Sequence, residues 1–332
     1  MAEETVQKLS LQTPSNNVPP YSRSSPVRRG RFADQSARIV FMLCAILIVA
    51  IIFGVFIFVG INGFRVFTQD PHASNFFSSL NWDPEGTGGE TSFGALGLLL
   101  GSVVTTLLAV VIATPLAWVM ALFMTEVTPR WLENILRPLL EIFTGMPSVV
   151  IGFLALAVVV PYFRQAFGKL TPLPPTAGYG WAAATVVLIV MILPTIISVS
   201  IDALRAVPQS VREASLALGS TRWQMMRNAV LPAALSGLAT AVVLGMARAI
   251  GEALAVSMVL GVNSVDFAAL FKDGIGMLFE PNVNVTNAIV LNFQEAFGAA
   301  RSAYFMLGFV LLVVSFLFIC ISRFLASRSV YK

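Results

Sequence analysis

The chain has 332 residues, 57% of them hydrophobic and 11% charged, with a mean hydropathy of +0.82. Soluble domains carry about a quarter charged residues, so this composition excludes an ordinary soluble protein and points to several membrane-spanning helices in one bundle. The net charge of +4 could suit nucleic acid, but the basic residues sit beside apolar runs, which reads as membrane topology and contact with lipid headgroups instead.

Residues 1–38 form a basic tail with Pro14, Pro19, Pro20 and Pro26 and little to bury, so irregular structure is expected up to about Arg31. Residues 39–64 follow as a first span, too long and too far from the start for a cleaved leader. A polar loop, 65–92, holds His72, the only histidine, which leaves no His-based metal site or triad. Cys44 and Cys320 both lie within apolar runs and offer neither a disulfide framework nor a metal cluster.

A core, 93–325, carries five further apolar runs at 93–124, 148–163, 181–201, 233–262 and 303–322, ahead of a short tail at 326–332. Six spans result, in an all-α fold. The run at 148–163 is short and is expected to borrow residues upstream, across Pro147. A β-barrel is excluded, because its strands would alternate apolar and polar over about ten residues. Fifteen Lys and Arg fall on one side of this topology and five on the other, which places both termini in the cytoplasm. The outer loops at 65–92 and 263–302 are long and carry more acidic than basic residues, suiting contact with an external protein.

All but two charges fall in those loops and tails. Arg248 and Glu252 remain, four residues apart near the middle of the fifth run, where a continuous helix would put them on one face. Charges at that depth are costly and face the bundle interior or a water-filled path. An ion pair that fixes packing is one reading. The other is transport: a guanidinium fork matches a tetrahedral oxyanion, and Glu252 either orients Arg248 or accepts a hydrogen bond from a protonated anion, favouring phosphate over sulfate. Gly97, Gly101, Gly245 and Gly251 suit close helix packing.

Between the fourth and fifth runs, Pro208 can open a short helix that Gly219 ends, and Thr221 with Gln224 forms a capping-box pattern for a second one before Pro232. The order Arg212-Glu213-Ala214-Ser215-Leu216-Ala217-Leu218-Gly219, with Leu231-Pro232 twelve residues on, resembles the EAA loop of ABC-importer permeases, with Ser215 in place of the second Ala. Within that group, Gly145-Met146-Pro147-Ser148-Val149-Val150-Ile151-Gly152-Phe153, the Asp202 to Pro208 segment and Arg248-Ala249-Ile250-Gly251-Glu252-Ala253 are similar to the phosphate-transporter permeases, and the Trp82-Asp83-Pro84 loop is more like the PstC branch than the PstA branch.

The resemblance implies a MetI-like bundle of six transmembrane helices in the bacterial cytoplasmic (inner) membrane. It also implies pairing with a second, PstA-like permease, two ATP-binding subunits and an extracytoplasmic phosphate-binding protein. Inorganic phosphate would pass by Arg248 and Glu252. The coupling loop, 205–232, would meet the ATPase through Arg212, Glu213, Ala214, Ser215 and Gly219, with Glu213 oriented by Arg partners. The chain carries no G-x-x-x-x-G-K-[ST], so ATP would be used by the partner subunit, with no cofactor or metal on this chain. A gradient-driven secondary transporter or anion channel without an ATPase is the alternative.

Overall fold

The computed structural model describes residues 28–86, 89–167, 178–261 and 276–327. It divides into two units. Residues 1–55 hold most of the first helix, α1 (Arg28–Phe64), whose apolar side chains from Ile39 to Phe58 are exposed. Of the expected irregular tail, residues 28–31 belong to α1, and the rest lies outside the described residues.

The second unit, 56–332, contains the packed core. After α1 come a short α2 (Val66–Gln69), a 3-10 turn and a two-stranded antiparallel ribbon, β1 (Trp82–Asp83) and β2 (Ser92–Phe93). The helices that follow are α3 (Leu96–Leu122), α4 (Arg130–Gly145), α5 (Ser148–Phe167) and α6 (Trp181–Arg205). Next are α7 (Gln209–Ala217), α8 (Arg222–Met225), α9 (Leu231–Gly251) and α10 (Leu254–Leu260). The series ends with α11 (Val285–Asn292) and α12 (Gly298–Ser327).

Six of these segments are long and apolar enough to cross a membrane, at the places the sequence marks for them. The core lies where α6 packs between α3 and α9, and small residues make that approach possible. A Cβ on Gly101 of α3 would lie 2.8 Å from the fully buried indole of Trp181, and one on Gly245 of α9 would lie 2.5 Å from the Ile196 side chain. Gly101→Ala is therefore expected to overpack a rigid neighbour at a cost of about 1–3 kcal/mol. A thermal-unfolding assay in detergent should show a melting point several degrees lower, and an unchanged one would mean the indole moves aside.

Two spans differ from their sequence outline, and both differences shape the site. The fifth run is not one continuous helix: α9 stops at Gly251, Glu252 turns extended (φ −78°, ψ 123°), and α10 starts again at Leu254. The third span lies wholly within α5, so the 148–163 run gains its length downstream, to Phe167, and not upstream across Pro147 as expected; the upstream residues form a separate amphipathic helix, α4, beyond the Gly145-Met146-Pro147 interruption. At the other end of the fifth span, α8 is not an isolated short helix. It runs through a wide π-type turn at Met226–Val230 straight into α9. Pro232 causes no break because it falls in the first turn of α9, where its missing N–H costs least.

Candidate functional site

The two interruptions meet side by side. A Cβ on Gly152, one turn into α5, would lie 2.7 Å from the Ala255 Cα of α10, so the start of α5 rests against the restart of the fifth span. Arg248, in the last turn of α9, donates from Nη1 to Thr195 Oγ1 at 2.9 Å and reaches the Thr144 carbonyl at the end of α4 at 3.5 Å. Half-helices that end at one level are a recurrent way to present polar groups to a ligand inside a bundle.

Arg248 and Glu252 do not share a helix face and do not pair. The chain turns out of the helix between them, and the Glu252 Oε1 instead accepts from the Ala255 N–H at 3.2 Å, capping the start of α10. Each charge is thereby placed where a helix end favours it, the cation beside the orphan carbonyls of α9 and the carboxylate beside the orphan N–H groups of α10. Such placements stabilise by about 0.3–1 kcal/mol each, more when partly buried. Glu252 faces a small polar pocket of about 10 Å³ with Thr105, Thr106, Asn284 and Thr286. Among the described residues Arg248 uses two of its five N–H donors, and the remainder is the capacity an oxyanion needs.

Below Arg248 lies a feature that the sequence reading placed in a loop. α4 is strongly amphipathic, with Glu133, Arg137, Glu141 and Thr144 on one stripe at spacings of four, four and three. That stripe faces Ser198, Asp202 and Arg205 of α6 across a cavity of about 80 Å³. Glu133 pairs with Arg205 at the C-terminal end of α6, and Thr144 meets Arg248 about 16 Å higher at 1.5 Å per residue. Arg137 and Glu141 form a loose pair at 3.8 Å, with side chains 57% and 72% exposed. Arg137 is thus not a loop residue. It belongs to a polar ladder that climbs from the α7 end of the bundle to Arg248.

At that same end, α7 carries the EAA-like residues. Gly219 takes φ +84° and ends the helix, while Ser215 and Ser220 close the turn through a 2.8 Å hydroxyl contact and a 2.7 Å bond from Ser220 to the Ser215 carbonyl. Thr221 and Gln224 form the expected reciprocal capping box. Ala214 and Glu213 are exposed, Leu218 is 90% exposed, and Trp223 is exposed as well.

Arg212, unlike its neighbour Glu213, is half-buried. Its guanidinium turns inward to Glu126, and among the described residues Glu213 has no Arg partner. Nothing in the sequence pairs Glu126 with Arg212, which lie 86 positions apart.

The chain matches the family described as binding-protein-dependent transport system inner membrane component over residues 113–331. A probable ABC transporter permease protein, YqgH of Bacillus subtilis (strain 168), is 42% identical over 305 residues, 91% of this chain and 94% of that protein. The phosphate transport system permease protein PstC of Xylella fastidiosa (strain 9a5c) is 35% identical, covering 76% of this chain and 79% of that one. PstC of Pasteurella multocida (strain Pm70) is 31% identical, at 87% and 88%. Among solved structures, a chain of a bacterial alginate ABC transporter aligns with a TM-score of 0.60 at 14% identity, covering 91% of this chain and 98% of that chain. A chain of the inward-facing MetNI methionine transporter aligns at 0.53 and 17% identity, covering 71% and 96%. Those two likenesses concern the fold.

Proposed function

Because the chain belongs to the binding-protein-dependent transport system inner membrane component family, and so is a multi-pass permease subunit of an ABC importer rather than an enzyme, we propose that it carries inorganic phosphate inward as the PstC-like half of a permease pair. The observation that carries this reading is Arg248, set at two adjacent helix interruptions, with donors unused among the described residues, at the head of the α4/α6 ladder. The PstC relatives support phosphate as the anion. The excess of Lys and Arg on the α7 side supports cytoplasmic termini.

In this reading a PstA-like permease completes the path, a phosphate-binding protein delivers the anion to the outer loops, and α7 docks on one of two ATPase subunits. ATP hydrolysis on those subunits drives the bundles between outward and inward access. Arg248 receives the oxyanion, and the polar stripes of α4 and α6 line its way out. Reconstitution of the chain with those partners and uptake of radiolabelled phosphate into proteoliposomes tests the reading. ATP-dependent uptake supports it; an assembled complex that hydrolyses ATP yet moves no phosphate overturns the substrate assignment.

Glu252 gives a sharper test of anion identity, because no arginine partner is lost when it changes. Glu252→Gln keeps a side-chain oxygen for Ala255 and removes only the charge. The carboxylate accepts a hydrogen bond from protonated phosphate and repels sulfate, so the variant is expected to let sulfate compete about tenfold better, on the order of 1.4 kcal/mol of lost discrimination. Competition assays at pH 7 read this directly. Unchanged sulfate exclusion would leave Glu252 as a helix cap alone.

A further inference from the structure

The inner ends of α3 and α6 and the helix α7 are held together by one side chain. Arg212 donates from Nε and Nη2 to Glu126 Oε1 at 3.2 and 3.0 Å, from Nη1 to the Val207 carbonyl at 2.6 Å, and from Nη2 to the Leu204 carbonyl at 2.8 Å. The two carbonyls belong to the end of α6 and the segment just after it, where the backbone carbonyls of a helix C-terminus favour a cation. Glu126 comes from the π-type turn Phe123–Val127 that ends α3. The pair is well shielded, with side chains 14% and 10% exposed.

The fork geometry matters here. A planar guanidinium can meet a carboxylate and two carbonyls at fixed angles, whereas an ammonium on a flexible stem cannot hold all three directions. Arg212 therefore fixes α7 to the ends of two different spans at once. Its neighbours in sequence face the other way: Glu213, Ala214 and Leu218 are exposed on the face a partner would meet.

We propose that the Arg212–Glu126 contact is the joint that transmits movement of α7 to α3 and α6, making Arg212 and Glu126 positioning residues that couple ATP hydrolysis to transport rather than residues that touch the ATPase. The inference rests on the importer assignment and not on which anion is carried. α7 moves as one body with the ends of α3 and α6, so rotation imposed on the exposed face swings the α6 stripe of the ladder, Ser198, Asp202 and Arg205, that leads to Arg248.

Two measurements on the full complex test the joint. In proteoliposomes, Glu126→Gln and Arg212→Lys are expected to leave the ATPase bound and hydrolysing while transport per ATP falls at least about tenfold; an unchanged ratio overturns the proposal. The second does not depend on the variants folding. Spin labels at Val127→Cys and Ser210→Cys, both exposed, in a background with Cys44 and Cys320 replaced by serine, report the separation of the α3 end and α7. With Arg212 and Glu126 intact, the distance distribution is expected to be the same without nucleotide and with ATP bound to a hydrolysis-blocked ATPase. A shift between those states would show that α7 moves independently of α3, and the joint would be refuted even if phosphate uptake proceeds normally. Loss of phosphate transport with the distances unchanged would count against the substrate assignment alone.

Discussion

Arg248→Gln is expected to reduce phosphate uptake by about 100-fold or more while the complex still assembles and hydrolyses ATP. Removing one partner of a desolvated, charge-assisted contact costs about 2–5 kcal/mol, and each 1.4 kcal/mol is a factor of ten. Glutamine is a fair probe because it can keep a donor toward Thr195 Oγ1, the one well-formed side-chain bond that Arg248 makes. The fold does not depend on a salt bridge at this position, since Glu252 is engaged with Ala255. Arg248→Lys should fall between, retaining a point charge without the fork that matches a tetrahedral anion. Uptake of labelled phosphate, normalised to hydrolysis by the same preparation, separates the alternatives. Equal uptake by wild type and Arg248→Gln would return Arg248 to a packing role.

Five of the six spans were legible because about 20 mostly apolar residues in a row leave few other structures possible, while the third, short at 148–163, completes its length only by running on to Phe167. The EAA-like segment was equally legible, since Pro, Gly and a Thr-Gln cap punctuate it at positions where backbone geometry demands them. Arg248 and Glu252 stood out by their cost in an apolar run. Their separate surroundings did not, because nothing in Gly251-Glu252-Ala253 announces a helix interruption. The break is supported by tertiary packing, with Gly152 seated against Ala255.

The α4 stripe was hidden for a different reason. Its charges lower the hydropathy of residues 130–145 until the segment reads as a loop, although Glu133, Arg137, Glu141 and Thr144 recur at helical spacing. A test for periodicity, rather than for mean hydropathy, finds it. The partner of that stripe at Asp202 and Arg205, like the pairing of Arg212 with Glu126, depends on which helices become neighbours, and a single sequence does not hold that information.

Gly219→Pro is expected to abolish uptake while leaving the chain inserted in the membrane at normal levels. Three features of the turn oppose proline together. Gly219 has φ +84°, whereas the pyrrolidine ring holds φ near −65°. Its N–H bonds to the Leu216 carbonyl at 3.0 Å and would be lost. Leu218, at φ −78° and ψ 6°, lies near the helical region that a following proline disfavours. The turn must therefore re-form with a different angle between α7 and α8, and Leu218 and Trp223, both exposed there, leave the surface that the ATPase would meet.

Gly219→Ala makes the control. A Cβ there meets no atom within 4 Å, so the variant suffers only the left-handed backbone cost of about 1–2 kcal/mol. It should keep the ATPase bound and retain much of its uptake. Copurification of the ATPase with each variant, measured beside uptake, distinguishes a misdirected docking surface from a failed fold. Because the turn is exposed and contributes no side chain to the core, the proline variant should melt close to wild type. Normal transport by Gly219→Pro would mean that the angle set by this turn does not matter to ATPase docking, and the role assigned to α7 would have to be abandoned.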